Sequence, residues 1–160
     1  MMDRSLVRAT LLGWIAAMAI DVFLNAGVFT SIFKSGDPFI LSPEEAFIRI
    51  PAGFAALLLL VVVESLLIFH WPVTSVASGA RIGIIYGVTI SSGTLLGLWS
   101  ITVASAAFLF VWVVDMLSEL TIAGIVISSV RSNSRHVARW VIIGAIACLI
   151  GGVIVQNISG

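Results

Sequence analysis

Carboxyl side chains lie inside long apolar stretches of this sequence, where charged residues are rare. They are Asp21, Glu64, Asp115 and Glu119, and Asn25 follows Asp21 by four residues. An acid at the centre of a bilayer costs about 2.5–3.5 kcal/mol on insertion scales unless it is neutralised or paired. These side chains are therefore the candidates for chemistry, because carboxyls can exchange protons, bind a cation, or hold a cationic or hydroxyl-bearing ligand.

The basic residues do not match these acids in position. Arg49 and Arg81 are expected near opposite interfaces, away from the depth of the carboxyls. Burial and neighbouring like charges both favour the neutral form of a carboxyl, so we expect shared protons and coupled titration. Two other interpretations remain open: protonated acids could join helices by hydrogen bonds, or a partner subunit could supply a neutralising Arg or Lys.

Composition places the chain in the membrane. It has 160 residues, of which 60% are hydrophobic and 10% charged, whereas soluble domains carry about 25% charged residues. The formal net charge is zero, which gives no global field for nucleic acid. The single cysteine, Cys148, can form no disulfide within the chain, and no motif indicates a cofactor or a metal site.

The apolar stretches predict an all-α bundle of five transmembrane helices that forms a single domain over 1–160. A span needs about 20 apolar residues. The predicted spans cover about 6–33, 43–69, 79–99, 103–130 and 139–156. Ser42, Pro43 and Glu45 form a capping-box start for the second helix, and Pro51 is expected to kink that helix. The connection between the third and fourth spans is expected around 100–102.

The distribution of Lys and Arg predicts orientation through the positive-inside rule. Only Lys34 and Arg49 fall on the side opposite the N-terminus. The other side holds Arg4, Arg8, Arg81, Arg131, Arg135 and Arg139. We therefore expect a multi-pass protein of the plasma (inner) membrane, with a cytoplasmic N-terminus and an external C-terminus.

Small residues recur every four positions on several predicted helices. Gly79, Gly83 and Gly87 form the clearest stripe, and Gly144 and Gly152 form another. Such stripes let helix backbones approach closely, so we expect the third span to be the central helix, packed on two sides. A homo-oligomer or a partner membrane subunit could instead use either glycine face. Asp21 and Asn25 continue a stripe of small residues on the first span, which predicts that they point toward other helices rather than lipid.

These observations predict a transporter-like or ligand-binding membrane protein with an internal acidic site. The site would be lined by Asp21, Asn25, Glu64, Asp115 and Glu119. Asp21 and Asp115 would face each other near mid-membrane, and the carboxyls would exchange a proton or a cation, coupled or not to a small solute. Two alternatives remain: an accessory subunit of a larger membrane complex, and an intramembrane enzyme that uses the carboxyls as acid and base. The sequence favours a protein that is not an enzyme, because it contains no recognisable catalytic motif.

Overall fold

A computed structural model describes residues 4–33, 41, 43–73, 75–132 and 136–159, and every regular element within them is helical. The elements are α1 (Arg4–Val22), a π-helical segment (Phe23–Val28), α2 (Thr30–Phe33), α3 (Pro43–His70), α4 (Val76–Ile101), α5 (Ala106–Arg131) and α6 (Val137–Ser159). Five helices are long and apolar enough to cross a membrane: α1 with the π-helical segment, α3, α4, α5 and α6. The prediction of five such helices is confirmed.

Serine side chains define where two of these helices begin. Ser75 accepts a hydrogen bond from the backbone N–H of Ser78 at 3.1 Å, and Ser105 accepts one from Phe108 at 3.2 Å. Each bond satisfies one of the backbone donors left unpaired at a helix start. The chain between α4 and α5 is not helical at 102–105, so the connection lies slightly later than the sequence suggests. The capping serine expected at Ser42 lies outside the described residues, and α3 runs through Pro51 as one helix.

The central helix is α5, which contacts α1, α3, α4 and α6. In its most apolar stretch 44% of residues are buried, against 17% for α4. The expectation that the glycine-striped third span lies at the centre is therefore wrong. A stripe of small residues shows how closely one face can approach a neighbour, and it carries no information about the opposite face.

The glycine stripe of α4 is used inside the chain, against α5. A Cβ atom added at Gly79 would lie 2.1 Å from Ser128 Oγ, and one at Gly83 would lie 2.5 Å from the Leu120 carbonyl oxygen. On α6, Gly152 packs against the backbone of Phe23, whereas such a Cβ at Gly144 has no neighbour within 4 Å in the described part of the chain. The two glycines of the α6 stripe therefore have different surroundings.

Contacts between the helices show in which direction each helix runs through the bundle. Trp14 Nε1 donates to the Phe54 carbonyl at 2.9 Å, which joins α1 to α3. Arg131 donates to the carbonyls of Ile68 and Trp71 and so caps the end of α3. Helix α1 with the π-helical segment meets α5 where Gly13 lies at Ile127 and Asn25 at Asp115, and α4 meets α5 where Gly79 lies at Ser128 and Gly87 at Leu117, so both pairs are antiparallel. Glu64 lies at Gly124 and Ile68 at Arg131, which makes α3 parallel to α5. Ala138 lies near Arg8 and Gly152 near Phe23, which makes α6 parallel to α1. Because the helices run in these directions, most of the described arginines lie at one end of the bundle: Arg4, Arg8, Arg81, Arg131 and Arg139.

Candidate functional site

The π-helical segment is the local feature that positions the site. Its wider turn is closed by the Phe29 N–H, which donates to the Leu24 carbonyl at 2.7 Å. The Thr30 hydroxyl donates to the Ala26 carbonyl and, at 3.3 Å, to that of Asn25. π-Helical turns are rare and often occur at functional sites. Here the turn carries Asn25, the amide residue of the predicted acidic site.

Asn25 bridges two carboxyl groups that belong to different helices. Its Nδ2 atom donates to Asp21 Oδ1 on α1 at 2.7 Å and to Asp115 Oδ2 on α5 at 2.7 Å. A primary amide has two N–H donors, so both are used. Asn25 therefore holds the Asp21 and Asp115 side chains against each other.

Glu119 completes a cluster of three carboxyl groups. One oxygen from each of Asp21, Asp115 and Glu119 lies within 4.8 Å of the other two. Carboxyl groups this close can bond to one another only when one of them carries a proton, because an ionised carboxylate only accepts hydrogen bonds. We call Asp21, Asn25, Asp115 and Glu119 the acidic cluster.

Asp21 and Asn25 of the acidic cluster are half-buried, whereas its two members on α5 are buried. Asp115 and Glu119 are each 6% exposed. Asp115 Oδ1 has no hydrogen-bond partner among the described residues. Three carboxyl oxygens form a hard donor set of the kind that suits Ca²⁺, Mg²⁺ or Mn²⁺. The cluster can therefore hold either protons or a cation with the groups that it already brings together.

The cluster lines one side of a cavity of about 630 Å³ between α1, α3 and α5. Apart from the cluster, the described lining is apolar and includes Leu57, Leu60 and Trp112. No Lys, Arg or His belongs to this lining in the part of the chain that the structure describes. The cavity thus has one acidic wall and one apolar wall.

Glu64 lies apart from the acidic cluster and does not line the cavity. Its side chain is completely buried where α3 meets α4 and α5. A Cβ atom added at Gly124 would lie 2.6 Å from Glu64 Oε1, and one at Gly83 would lie 3.0 Å away. Neither carboxyl oxygen has a hydrogen-bond partner among the described residues. The structure therefore brings together four of the five predicted site residues and places the fifth elsewhere.

No pattern in the first span predicts the π-helical turn that orients Asn25. Gly27 is the residue of the turn whose type reflects its packing, because a Cβ atom there would lie 3.3 Å from Gly152 Cα of α6. That contact depends on two segments far apart in the chain, so spacing within the first helix could not reveal it.

Comparisons with protein-family models, with curated proteins and with solved structures find no match to this chain. The functional conclusion therefore rests on the geometry of the acidic cluster and its cavity.

Proposed function

We propose that this protein is a small transporter-like membrane protein whose acidic cluster exchanges a proton for a cation. The observation that carries the proposal is the cavity in which Asp21, Asp115 and Glu119 converge, linked by Asn25 and without a basic residue in the described lining. Such a site favours positive charge, since every charged group that faces it from the described residues is an acid.

The proximity of the carboxyls supplies the exchange chemistry. Like charges this close cannot all be ionised together, so protons are shared among them. A cation that enters the cluster replaces those protons as the neutralising charge. Cation binding and proton release are thus coupled at the same carboxyl groups. A proton-linked transporter requires such coupling.

The apolar part of the cavity suits a small organic solute. Its volume of about 630 Å³ lies within the roughly 300–1,000 Å³ of typical ligand pockets. A cationic solute would place its charge at Asp115 and its apolar portion against Leu57 and Trp112. The proposal therefore includes small organic cations beside metal ions and protons.

We further propose that the five apolar helices cross the plasma (inner) membrane with the N-terminus in the cytoplasm. The concentration of described arginines at one end of the bundle supports this orientation through the positive-inside rule. On a Cys148→Ser background, a membrane-impermeant maleimide applied to intact cells should label Leu41→Cys. Ser132→Cys should react only after the membrane is permeabilised, and the reverse pattern would contradict the orientation.

A flux assay in proteoliposomes tests the transport function. Protein reconstituted with an internal pH indicator should move protons when an outward gradient of Na⁺, Ca²⁺ or a small organic cation is imposed. Asp21→Asn and Asp115→Asn should abolish that movement, whereas Glu45→Gln, at an exposed acid, should leave it intact. Flux and binding that survive both Asp variants unchanged would rule out the acidic cluster as the transport site.

A second candidate function is that of an accessory subunit in a larger membrane complex. The observation that favours it is Gly144, which leaves α6 open to close approach by another helix. Purification in mild detergent separates the two functions. A stable association with another membrane protein, with no flux from the isolated chain, would support the accessory role.

A further inference from the structure

A second cavity lies on the opposite side of α1 from the acidic cavity. It has a volume of about 460 Å³, is formed by α1, α5 and α6, and shares no lining residue with the acidic cavity. Its lining is almost entirely apolar. Several of its lining residues are small, among them Ala16, Ala19, Gly144 and Ala145. We call this cavity the apolar groove; it opens at the surface of the bundle rather than toward its centre.

Arginines lie at the end of the same helix pair. Arg4 and Arg8 of α1 line a neighbouring recess with Leu11, Leu12 and Ala138 of α6. Both arginines are exposed, and so is Arg139, which follows Ala138. With a rise of about 1.5 Å per residue, Arg8 lies about 12 Å along α1 from the groove residue Ala16. The contact line between α1 and α6, which we call the α1–α6 seam, thus has arginines at one end and the apolar groove farther along.

We propose that the α1–α6 seam binds one anionic phospholipid, with its phosphate at Arg4 and Arg8 and an acyl chain in the apolar groove. The occupant follows from charge complementarity, because guanidinium groups pair with phosphate oxygens. The groove offers an acyl chain apolar walls on three helices. Basic side chains at a membrane surface also attract anionic headgroups. The proposal depends on insertion in a membrane and is independent of what the acidic cluster binds.

Gly144 provides a way to fill the apolar groove without disturbing the bundle. A Cβ atom at this position meets no described residue within 4 Å, although Gly144 lines the groove. Gly144→Leu therefore directs a side chain into the space that the acyl chain would occupy. Gly97 on α4 is the matched control, because its Cβ also meets nothing within 4 Å and it does not line the groove.

Native mass spectrometry of the purified protein, titrated with dioleoyl phosphatidylglycerol and dioleoyl phosphatidylcholine, tests the proposal. One phosphatidylglycerol molecule should bind more tightly than phosphatidylcholine. The double variant Arg4→Gln/Arg8→Gln should lower that preference by about thirtyfold. Arg49→Gln, at the opposite end of the bundle, should preserve it. Gly144→Leu should remove the tight adduct of either lipid, and Gly97→Leu should not.

Lipid binding is compared only among variants that elute as a single species in size-exclusion chromatography. If Gly144→Leu does not fold, Ala145→Leu replaces it. Retention of the phosphatidylglycerol preference by the double Arg variant would overturn the headgroup site. Retention of the tight adduct by the groove-filling variant would overturn the acyl-chain site. If the protein is a dimer that dissociates in Gly144→Leu, the groove is a contact between two copies of the chain, and the lipid proposal is wrong.

Discussion

The contact between α4 and α5 at Gly83 gives a sharp prediction about stability. In Gly83→Ala, the new Cβ would lie 2.5 Å from the Leu120 carbonyl oxygen and 2.9 Å from Thr121 Cα. Both atoms belong to the backbone, so no rotation of a side chain can relieve the overlap. The helices themselves must move apart.

The structure sets the size of that movement. An ordinary contact begins at 3.4 Å, so the 2.5 Å approach requires a separation of about 0.9 Å. A gap of roughly 0.5–1 Å already forfeits a quarter to a half of the dispersion attraction between facing atoms. Overpacking costs about 1–3 kcal/mol, and an overlap with backbone atoms that cannot rotate away belongs in the upper part of that range, about 2–3 kcal/mol. The better helix propensity of alanine returns about 1 kcal/mol. We expect a net loss of about 1–2 kcal/mol.

Thermal unfolding in detergent, followed by size-exclusion chromatography with fluorescence detection, measures this loss. For a chain of this size 1 kcal/mol corresponds to about 2–4 °C in melting temperature, so Gly83→Ala should melt about 2–8 °C lower. Gly93→Ala on the same helix, where a Cβ meets nothing within 4 Å, should melt at the wild-type temperature or slightly above it. Equal melting temperatures for the two variants would refute the close α4–α5 contact.

Other substitutions test individual polar contacts, each by the same melting assay. Asn25→Leu removes the donors to one carboxyl oxygen of half-buried Asp21 and one of buried Asp115 and should cost about 1–3 kcal/mol; wild-type stability would contradict the bridge. Glu64→Met replaces a buried acid that has no partner among the described residues, so stability should be kept or raised and proton flux retained. A strong loss of either would show that Glu64 has an unrecognised role. Arg131→Met removes the cap of α3 and should cost about 1.5–3 kcal/mol, whereas Arg139→Met at an exposed position should cost less than about 0.5 kcal/mol.

The helical character of the chain could be predicted from its sequence because it depends on local properties. Length and hydropathy are enough to predict five apolar helices, and the described residues form five. The small-residue stripe before Asp21 also predicted that this acid faces other helices, and one of its oxygens lies within 4.8 Å of carboxyl oxygens of Asp115 and Glu119 on α5. Both inferences need only the period of one helix.

Features that depend on how helices meet could not be predicted in this way. Glu64 shares a helix face with small residues, as Asp21 does, yet it packs at Gly83 and Gly124 rather than in the acidic cavity. A stripe specifies a direction around one helix, and the neighbour found in that direction depends on the packing of all the others. The same limit explains why α4 was expected at the centre that α5 occupies.

The central claim is that the acidic cluster exchanges protons for a cation, and proton release on binding tests it most directly. Purified protein in weakly buffered detergent should release protons when Na⁺, Ca²⁺ or a small organic cation is added, and the release should saturate with cation concentration. Asp115→Asn should abolish the release, whereas Glu45→Gln should preserve it. Saturable release that persists in Asp115→Asn, or no release with any of these cations, would contradict the account.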